Sequence, residues 1–277
     1  MSHLKKTKLL LRSHRSLPKK SFGQNFIIDK SVYESMMNYA ALGKNDVVLD
    51  IGAGLGFLSR FAAERCKKVL AVEADRQVIS ILREQLTDIN NIEIIMGDIF
   101  KTNVLDFNKI VSAPPYNISS DLILWILQQS FECGVLVFQK EFAHRLVACV
   151  GTEEYGWLTV YVQCRADVEL LEDVSMTAFY PQPKVDSTII RLVVKTQKPC
   201  LKVNDIAFRR FLQILFTHRN RKVRGAVLPY LRGVLGLSKL ETEKVLEKLP
   251  YMEKRVRELT PEDFGVLANA LIGRAHV

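Results

Sequence analysis

Five short apolar runs, "DVVLDIG", "KVLAVEAD", "IEIIMGD", "KIVSAPP" and "GVLVFQK", recur between Asp46 and Lys140. Each ends in small, acidic or polar residues. The stretches around them, "KSVYESMMNYAAL", "FLSRFAAERC", "RQVISILREQL" and "DLILWILQQS", repeat their apolar residues at helical spacing. A strand with one wet face alternates apolar and polar residues. Strands that stay apolar throughout must be covered on both faces, which calls for a parallel sheet between two layers of helices. The pattern therefore predicts a doubly wound α/β domain. "STIIRLVVK" (Ser187–Lys195) adds a late strand, expected antiparallel on the same sheet. After "TQKPCLKVND" only helical periodicity follows, in "IAFRRFLQILF", "RGAVLPYL", "SKLETEKVLEKL" and "PEDFGVLANALI". The expected division is a basic arm over 1–20, an α/β domain over 21–198 and a small C-terminal all-helical domain over 199–277, with the boundary near Pro199.

No apolar run of the 277 residues approaches the ~18 that a membrane helix needs, so a soluble protein is expected. The five cysteines are scattered and never in a CxxC spacing, which reads as reduced thiols of a cytoplasmic protein. The five histidines form no HExxH or paired pattern, so no metal site is expected. Net charge is +9, which favours a polyanionic partner. Its distribution says more. No acid precedes Asp29, while Lys5, Lys6, Lys8, Arg12, Arg15, Lys19 and Lys20 are basic. That segment reads as a disordered arm touching phosphates; an acid-poor targeting segment shares its composition. A second basic cluster, "HRNRKVR", runs from His218 to Arg224.

The first apolar run continues into "VLDIGAGLGF" (Val48–Phe57). Gly52, Gly54 and Gly56 let the chain turn sharply and bring backbone N–H groups to a ligand at the next helix's N-terminus. A dinucleotide loop reads G-x-G-x-x-G; this one reads G-x-G-x-G behind Asp50, which resembles the motif of S-adenosylmethionine-dependent methyltransferases. A plain strand–helix turn uses glycines too. Glu73 ends the second run about 20 residues further on, where an acid accepts ribose hydroxyls. Asp98, in "MGDIF", ends the third run and suits the amine of an adenine. Each acid alone reads equally as a turn or N-cap residue; ligand-suited groups at three successive strand ends favour a nucleotide-like ligand.

The fourth run ends in "SAPPYNIS" (Ser112–Ser119). Two prolines in succession end a strand and hold the following residues rigidly. In methyltransferases that act on exocyclic amines, a [DNS]-P-P-[YFW] element sits at this strand end. An adenine amine is a weak nucleophile because its lone pair is delocalised into the ring. A rigid turn offering oxygens to its N–H groups aims that lone pair, and an aromatic side chain stacks on the base; positioning and electrostatics replace a strong base.

"SFGQNFIID", "DIGAGLGFLS", "EAD", "GDIF", "PYNISS", "FQKEFAHRLVA", "YGWLTV" and "FYPQPKVDSTIIRL" stand in the order seen in small-subunit rRNA adenine N6,N6-dimethyltransferases. The chain resembles this KsgA family from about Ser21 to Lys195, and "LFTHRNRKVRGAV" is similar to the family's basic F-x-x-R-R-K helix. The resemblance implies a Rossmann-like methyltransferase domain that uses S-adenosylmethionine and acts on 16S rRNA in the small ribosomal subunit, as a monomer. It implies that Asn25 and Ile27 close over the cofactor, with Gly52 at its methionine part, Glu73 at its ribose and Asp98 at its adenine. Tyr116 would stack on the target adenine and Phe179 on its other face, although Phe179 also reads as a core aromatic. Arg219, Arg221, Lys222 and Arg224 would bind RNA.

Two departures stand out. The family usually reads Asn-Leu-Pro-Tyr where this chain has Ala113-Pro114-Pro115-Tyr116, so one side-chain acceptor is missing while the Pro114 carbonyl remains. "HRNRK" replaces a contiguous Arg-Arg-Lys. The expected function is dimethylation of N6 on two adjacent adenines near the 3′ end of 16S rRNA during ribosome biogenesis. Two alternatives are kept: a macrolide-resistance-type 23S rRNA methyltransferase, and a weakly catalytic ribosome-assembly factor.

Overall fold

The computed structural model describes residues 2–19, 22–104, 106–195 and 204–272. Its elements in chain order are α1 (His3–Ser13), β1 (Phe26–Ile27), α2 (Lys30–Ala40), β2 (Val47–Ile51), α3 (Phe57–Ala63), β3 (Lys68–Glu73), α4 (Arg76–Gln85), β4 (Ile92–Met96), β5 (Lys109–Ser112), α5 (Ser119–Ile126), β6 (Cys133–Gln139), α6 (Lys140–Leu146), α7 (Trp157–Gln163), β7 (Ala166–Val174), β8 (Phe179–Tyr180) and β9 (Ser187–Val194). The helices α8 (Asp205–Phe216), α9 (Val223–Ala226), α10 (Leu228–Gly233), α11 (Lys239–Leu246) and α12 (Pro261–Ile272) follow. No described helix is long and apolar enough to cross a membrane.

Seven strands form one sheet in the order β4-β3-β2-β5-β6-β9-β7. The first five pair in parallel and β9 runs antiparallel to β6, in register Gly134↔Leu192 through Gln139↔Ser187, as the sequence leads one to expect. Val48, Leu49, Ile110, Val111 and Val135 to Phe138 have no exposed surface, which is the two-sided burial their uninterrupted apolar pattern demands. The strand order reverses between β2 and β5, opening a crevice at their carboxyl ends. β7 is not legible as a strand in the sequence. Glu169, Glu172 and Asp173 crowd it, and it forms the outer edge of the sheet, where charge is tolerated.

The expected disordered arm requires correction, because α1 is an ordered helix. Ser2 caps it through the Lys5 N–H, and Thr7, Leu10 and Leu11 bury one face. Each fully buried leucine contributes about 2 kcal/mol. His3 stacks on Phe57 with ring centroids 5.0 Å apart, and His14 reaches Glu84 at 2.9 Å. Lys5, Lys8 and Arg12 stay on the exposed face, and Arg15, just past the helix, is exposed as well. Closely spaced basic residues hide an amphipathic helix behind the composition of a tail.

The chain divides into two compact units, Met1–Ala143 with Val168–Val194, and His144–Asp167 with Lys195–Val277. The boundary expected near Pro199 lies outside the described residues. α7 belongs with the helical tail because its buried face, Leu158 to Val162, packs on α8 and α12. In that second unit Phe208, Phe211, Leu215, Leu231, Phe264 and Leu267 form the interior. The buried Arg165 guanidinium lies 3.8 Å above the Tyr161 ring and pairs with Asp205, which also accepts from the Tyr161 hydroxyl. The tail is helical as its periodicity indicates.

Candidate active site

The glycine loop after β2 is shaped by close approaches. Gly52 has φ 76°, and a Cβ there would lie 2.9 Å from Pro115 Cδ, so only glycine lets the proline turn come this near. Gly54, at φ 56°, turns its N–H onto Glu73 Oε2 at 2.9 Å. Glu73, at the end of β3, accepts at Oε1 from the Asp75 N–H at 2.8 Å. Its carboxylate is nearly buried, and burial pushes it above the ordinary carboxylate range against the pull of the N–H groups of Asp75, Gly54 and Ala74. Asp50, at the end of β2, is 1% exposed and accepts from Ser59 Oγ at 2.6 Å. Burial pushes its carboxyl up to about 7.

A cavity of about 340 Å³ opens at these strand ends. Asn25, Gly52, Glu73, Asp98, Ala113, Pro114, Tyr116 and Phe179 all line it. Eight of the nine residues singled out for cofactor and base thus share one wall system. Ile27 is the exception: it lines a smaller adjoining pocket with Tyr33, Asp50 and Phe57, and Asn25, Gly52 and Ala113 touch both. Asp98 caps the turn after β4 by accepting from the Phe100 N–H at 3.1 Å. Asn25 donates to the Gly23 carbonyl at 3.1 Å, which folds the preceding segment against the cavity.

The proline turn presents little polarity of its own. Ser112 is fully buried, and its hydroxyl both donates to the Ile51 carbonyl at 2.7 Å and accepts from the Ile51 N–H at 3.2 Å, tying β5 to β2 rather than facing the cavity. Ala113 is apolar. Among the described residues no backbone N–H donates to the Pro114 carbonyl. Tyr116 opens a short 3₁₀ turn; its hydroxyl shares a 2.6 Å hydrogen bond with Ser187 Oγ, and burial pushes it up to about 12, so it stays neutral. Phe179 is buried in β8, and its ring meets Tyr116 edge to face at 6.4 Å and 69°. β8 pairs with β1 in register Ile27↔Phe179, so Ile27 and Phe179 hold one another in place.

The cations near His218 are divided in their engagements. Arg219 donates to the carbonyls of Thr152 and Glu153, both at 2.6 Å, and Lys222 pairs with Glu253. Arg221 and Arg224 are exposed. The segment runs antiparallel to a second basic one: Lys222 bridges Arg255, the Val223 N–H donates to the Lys254 carbonyl, and the Arg257 N–H donates to the Arg219 carbonyl. Lys254, Arg255 and Arg257 escape notice in the sequence because Glu253 and Glu258 flank them. Ser187, Asp75 and Gln24 lie within stretches that carry the resemblance, and Lys19 within the basic segment, but sequence reasoning gave none of them a role in the site. Their roles rest on partners distant along the chain, which no local pattern announces.

The family model for "Ribosomal RNA adenine dimethylase" matches residues 15–261. The chain is 39% identical over 255 residues to a "Probable ribosomal RNA small subunit methyltransferase A" of Pyrococcus abyssi, covering 92% of each. Among solved structures it resembles a dimethyladenosine transferase from Plasmodium falciparum, with TM-score 0.80 and 28% identity, covering 91% of this chain and 98% of that one. It also resembles the 23S rRNA methyltransferase ErmE, with TM-score 0.64 and 27% identity, covering 89% and 99%.

Proposed function

Because the chain belongs to the ribosomal RNA adenine dimethylase family, we propose that it dimethylates N6 of two adjacent adenines near the 3′ end of 16S rRNA, using S-adenosylmethionine. The observation that carries this reading is the single cavity joining Glu73 and Asp98 to the Ala113–Tyr116 turn and Phe179. Its volume is in the range of small-molecule sites. The site residues fit the cofactor: a near-buried carboxylate suited to a ribose diol, a second carboxylate at the next strand end, and a glycine loop that a Cβ would close.

Glu73 would hold the ribose, Asp98 the adenine, and Gly52 with Asn25 the methionine part. When bound, the cofactor supplies an electrophilic methyl group on a sulfonium. The target adenine leaves its stack to enter the cavity. Tyr116 supports its ring, and the Pro114 carbonyl accepts one amine hydrogen, turning the lone pair out of conjugation. Ile27, paired with Phe179, keeps the base wall rigid. After transfer the cationic product amine would lose its surplus proton to water, the Pro114 carbonyl serving only as a hydrogen-bond acceptor. No side chain serves as a strong base, and none is needed for a cationic product amine.

The exposed face of α1 and the interlaced segments around Arg221, Arg224 and Arg255 would meet rRNA phosphates, each on its own unit. The enzyme is read as a cytoplasmic monomer acting on small subunits during ribosome assembly. The higher TM-score to the dimethyladenosine transferase than to ErmE favours this over a 23S activity. The deciding experiment incubates the protein with unmethylated small and large subunits and labelled cofactor, followed by mass spectrometry of rRNA nucleosides. Dimethyladenosine confined to the small subunit supports the proposal. Methylation confined to the large subunit, or binding with no methyl transfer, overturns it in favour of one alternative or the other.

A further inference from the structure

Asp75 stands outside the cavity yet ties two of its walls together. Its carboxylate is 2% exposed. Oδ1 accepts from Lys19 Nζ at 2.9 Å and from the Gln77 N–H at 3.0 Å, and Oδ2 accepts from Gln24 Nε2 at 2.9 Å. Its own N–H donates to Glu73 Oε1. Gln24 uses the other end of its amide, accepting from the Lys19 N–H at 2.8 Å. Phe22, Gly23, Gln24 and Asn25 line the cavity, as does Glu73. One carboxylate thus fixes the N-terminal wall through Lys19 and Gln24 and the ribose-facing acid through the backbone.

We propose that Asp75 is a positioning residue for cofactor binding: the clasp Lys19–Asp75–Gln24 holds the Phe22–Asn25 wall against Glu73. The proposal rests on the reading of the cavity as the S-adenosylmethionine site. Asp75 also caps α4, and an aspartate before a helix needs no further role. Capping, however, uses one oxygen and one N–H. It explains neither Lys19 nor Gln24, which lie 56 and 51 residues away in the chain. Buried carboxylates that accept from a lysine ammonium and an amide are held by charge-assisted hydrogen bonds, about twice as strong as neutral ones. A lysine from the basic N-terminal segment is therefore committed to the cofactor wall, not to RNA.

The informative variant is Asp75→Asn. Asparagine caps helices as well as aspartate does, so α4 keeps its start while the clasp loses its charge and one acceptor. Affinity for S-adenosylmethionine, measured by calorimetry, falls about 10- to 100-fold. Methylation of small subunits at saturating cofactor stays within about threefold, so the loss sits in KM and not in kcat. Amide exchange at Phe22 to Asn25 quickens while that of β2 and β5 is unchanged. The double variant Asp75→Asn with Gln24→Glu exchanges amide and carboxylate between the partners and regains most of the affinity. Unchanged affinity in Asp75→Asn, or failure of the double variant to regain it while both remain folded, overturns the clasp. A wild-type protein that binds no S-adenosylmethionine overturns the cofactor reading itself, a separate result.

Discussion

The Tyr116 hydroxyl and Ser187 Oγ lie 2.6 Å apart, joining the proline turn after β5 to the first residue of β9. Ser187 is fully buried, so either partner left alone is a desolvated polar group. Tyr116→Phe and Ser187→Ala are each expected to lower unfolding free energy by about 1–3 kcal/mol, and the double variant by less than their sum. Chemical denaturation of the four proteins measures this. If the two changes add, the bond does not fix the ring.

Ala113 is expected to make the enzyme slow but active. With the Ser112 hydroxyl committed to Ile51, the Pro114 carbonyl, which no backbone N–H among the described residues engages, is taken as the acceptor for the amine. By analogy with losing one oriented donor from an oxyanion site, the missing acceptor costs up to about 10²–10³ in rate. Ala113→Asn should raise the single-turnover rate on small subunits without much change in cofactor affinity. A slower or unchanged variant with intact cofactor binding would show that the second proline has replaced the amide's role.

The cations of the helical unit separate by their engagements. Arg221→Gln with Arg224→Gln should flatten the salt dependence of small-subunit binding, by about 0.7–0.9 in log–log slope for each phosphate no longer neutralised, leaving thermal stability unchanged. Arg219→Gln should act differently, lowering the melting temperature, because its guanidinium ties down the Thr152 and Glu153 carbonyls. Filter binding across a salt series and thermal melts distinguish the two. An unchanged slope in the first variant would leave Arg221 and Arg224 as solvated surface.

Asp50 makes a prediction about pH. Its carboxyl is raised to about 7 in the folded protein from 3.8, chiefly by burial. The folded state therefore holds a proton that the unfolded state releases in this window. Stability from this group is full below pH about 4 and declines as pH rises to about 7, with a slope of at most about 1.4 kcal/mol per pH unit. Asp50→Asn, which still accepts from Ser59, should remove that slope. Denaturation at pH 5 and 8 tests it; equal pH dependence in both proteins would place the titration elsewhere.

Much of this architecture is legible in the residues themselves. Val48, Leu49, Ile110 and Val111 declare a two-sided interior because nothing polar interrupts them, and Glu73 and Asp98 declare themselves by standing where such strands end. α1 reads as a loose arm because lysines at 5, 6 and 8 outweigh the single stripe of Thr7, Leu10 and Leu11. β7 stays hidden because an edge position tolerates acids. The Lys19–Asp75–Gln24 clasp has no local signature, since each residue is ordinary in its own neighbourhood. The edge-to-face meeting of Tyr116 and Phe179 is likewise a product of two distant turns.

The pairing of Ile27 with Phe179, reinforced by the Ile28 N–H on the Ala178 carbonyl at 2.8 Å, has a consequence for synthesis. The ribosome makes β1 before any strand of the seven-stranded sheet, but its partner strand emerges only after every parallel strand of that sheet. Until then Phe26 and Ile27 have no companion, and the nascent chain carries an incomplete base wall. A truncated translation product ending before Ala178 would therefore bear the glycine loop, its acids and the Tyr116 turn yet lack Phe179 and the strand that pairs with Ile27.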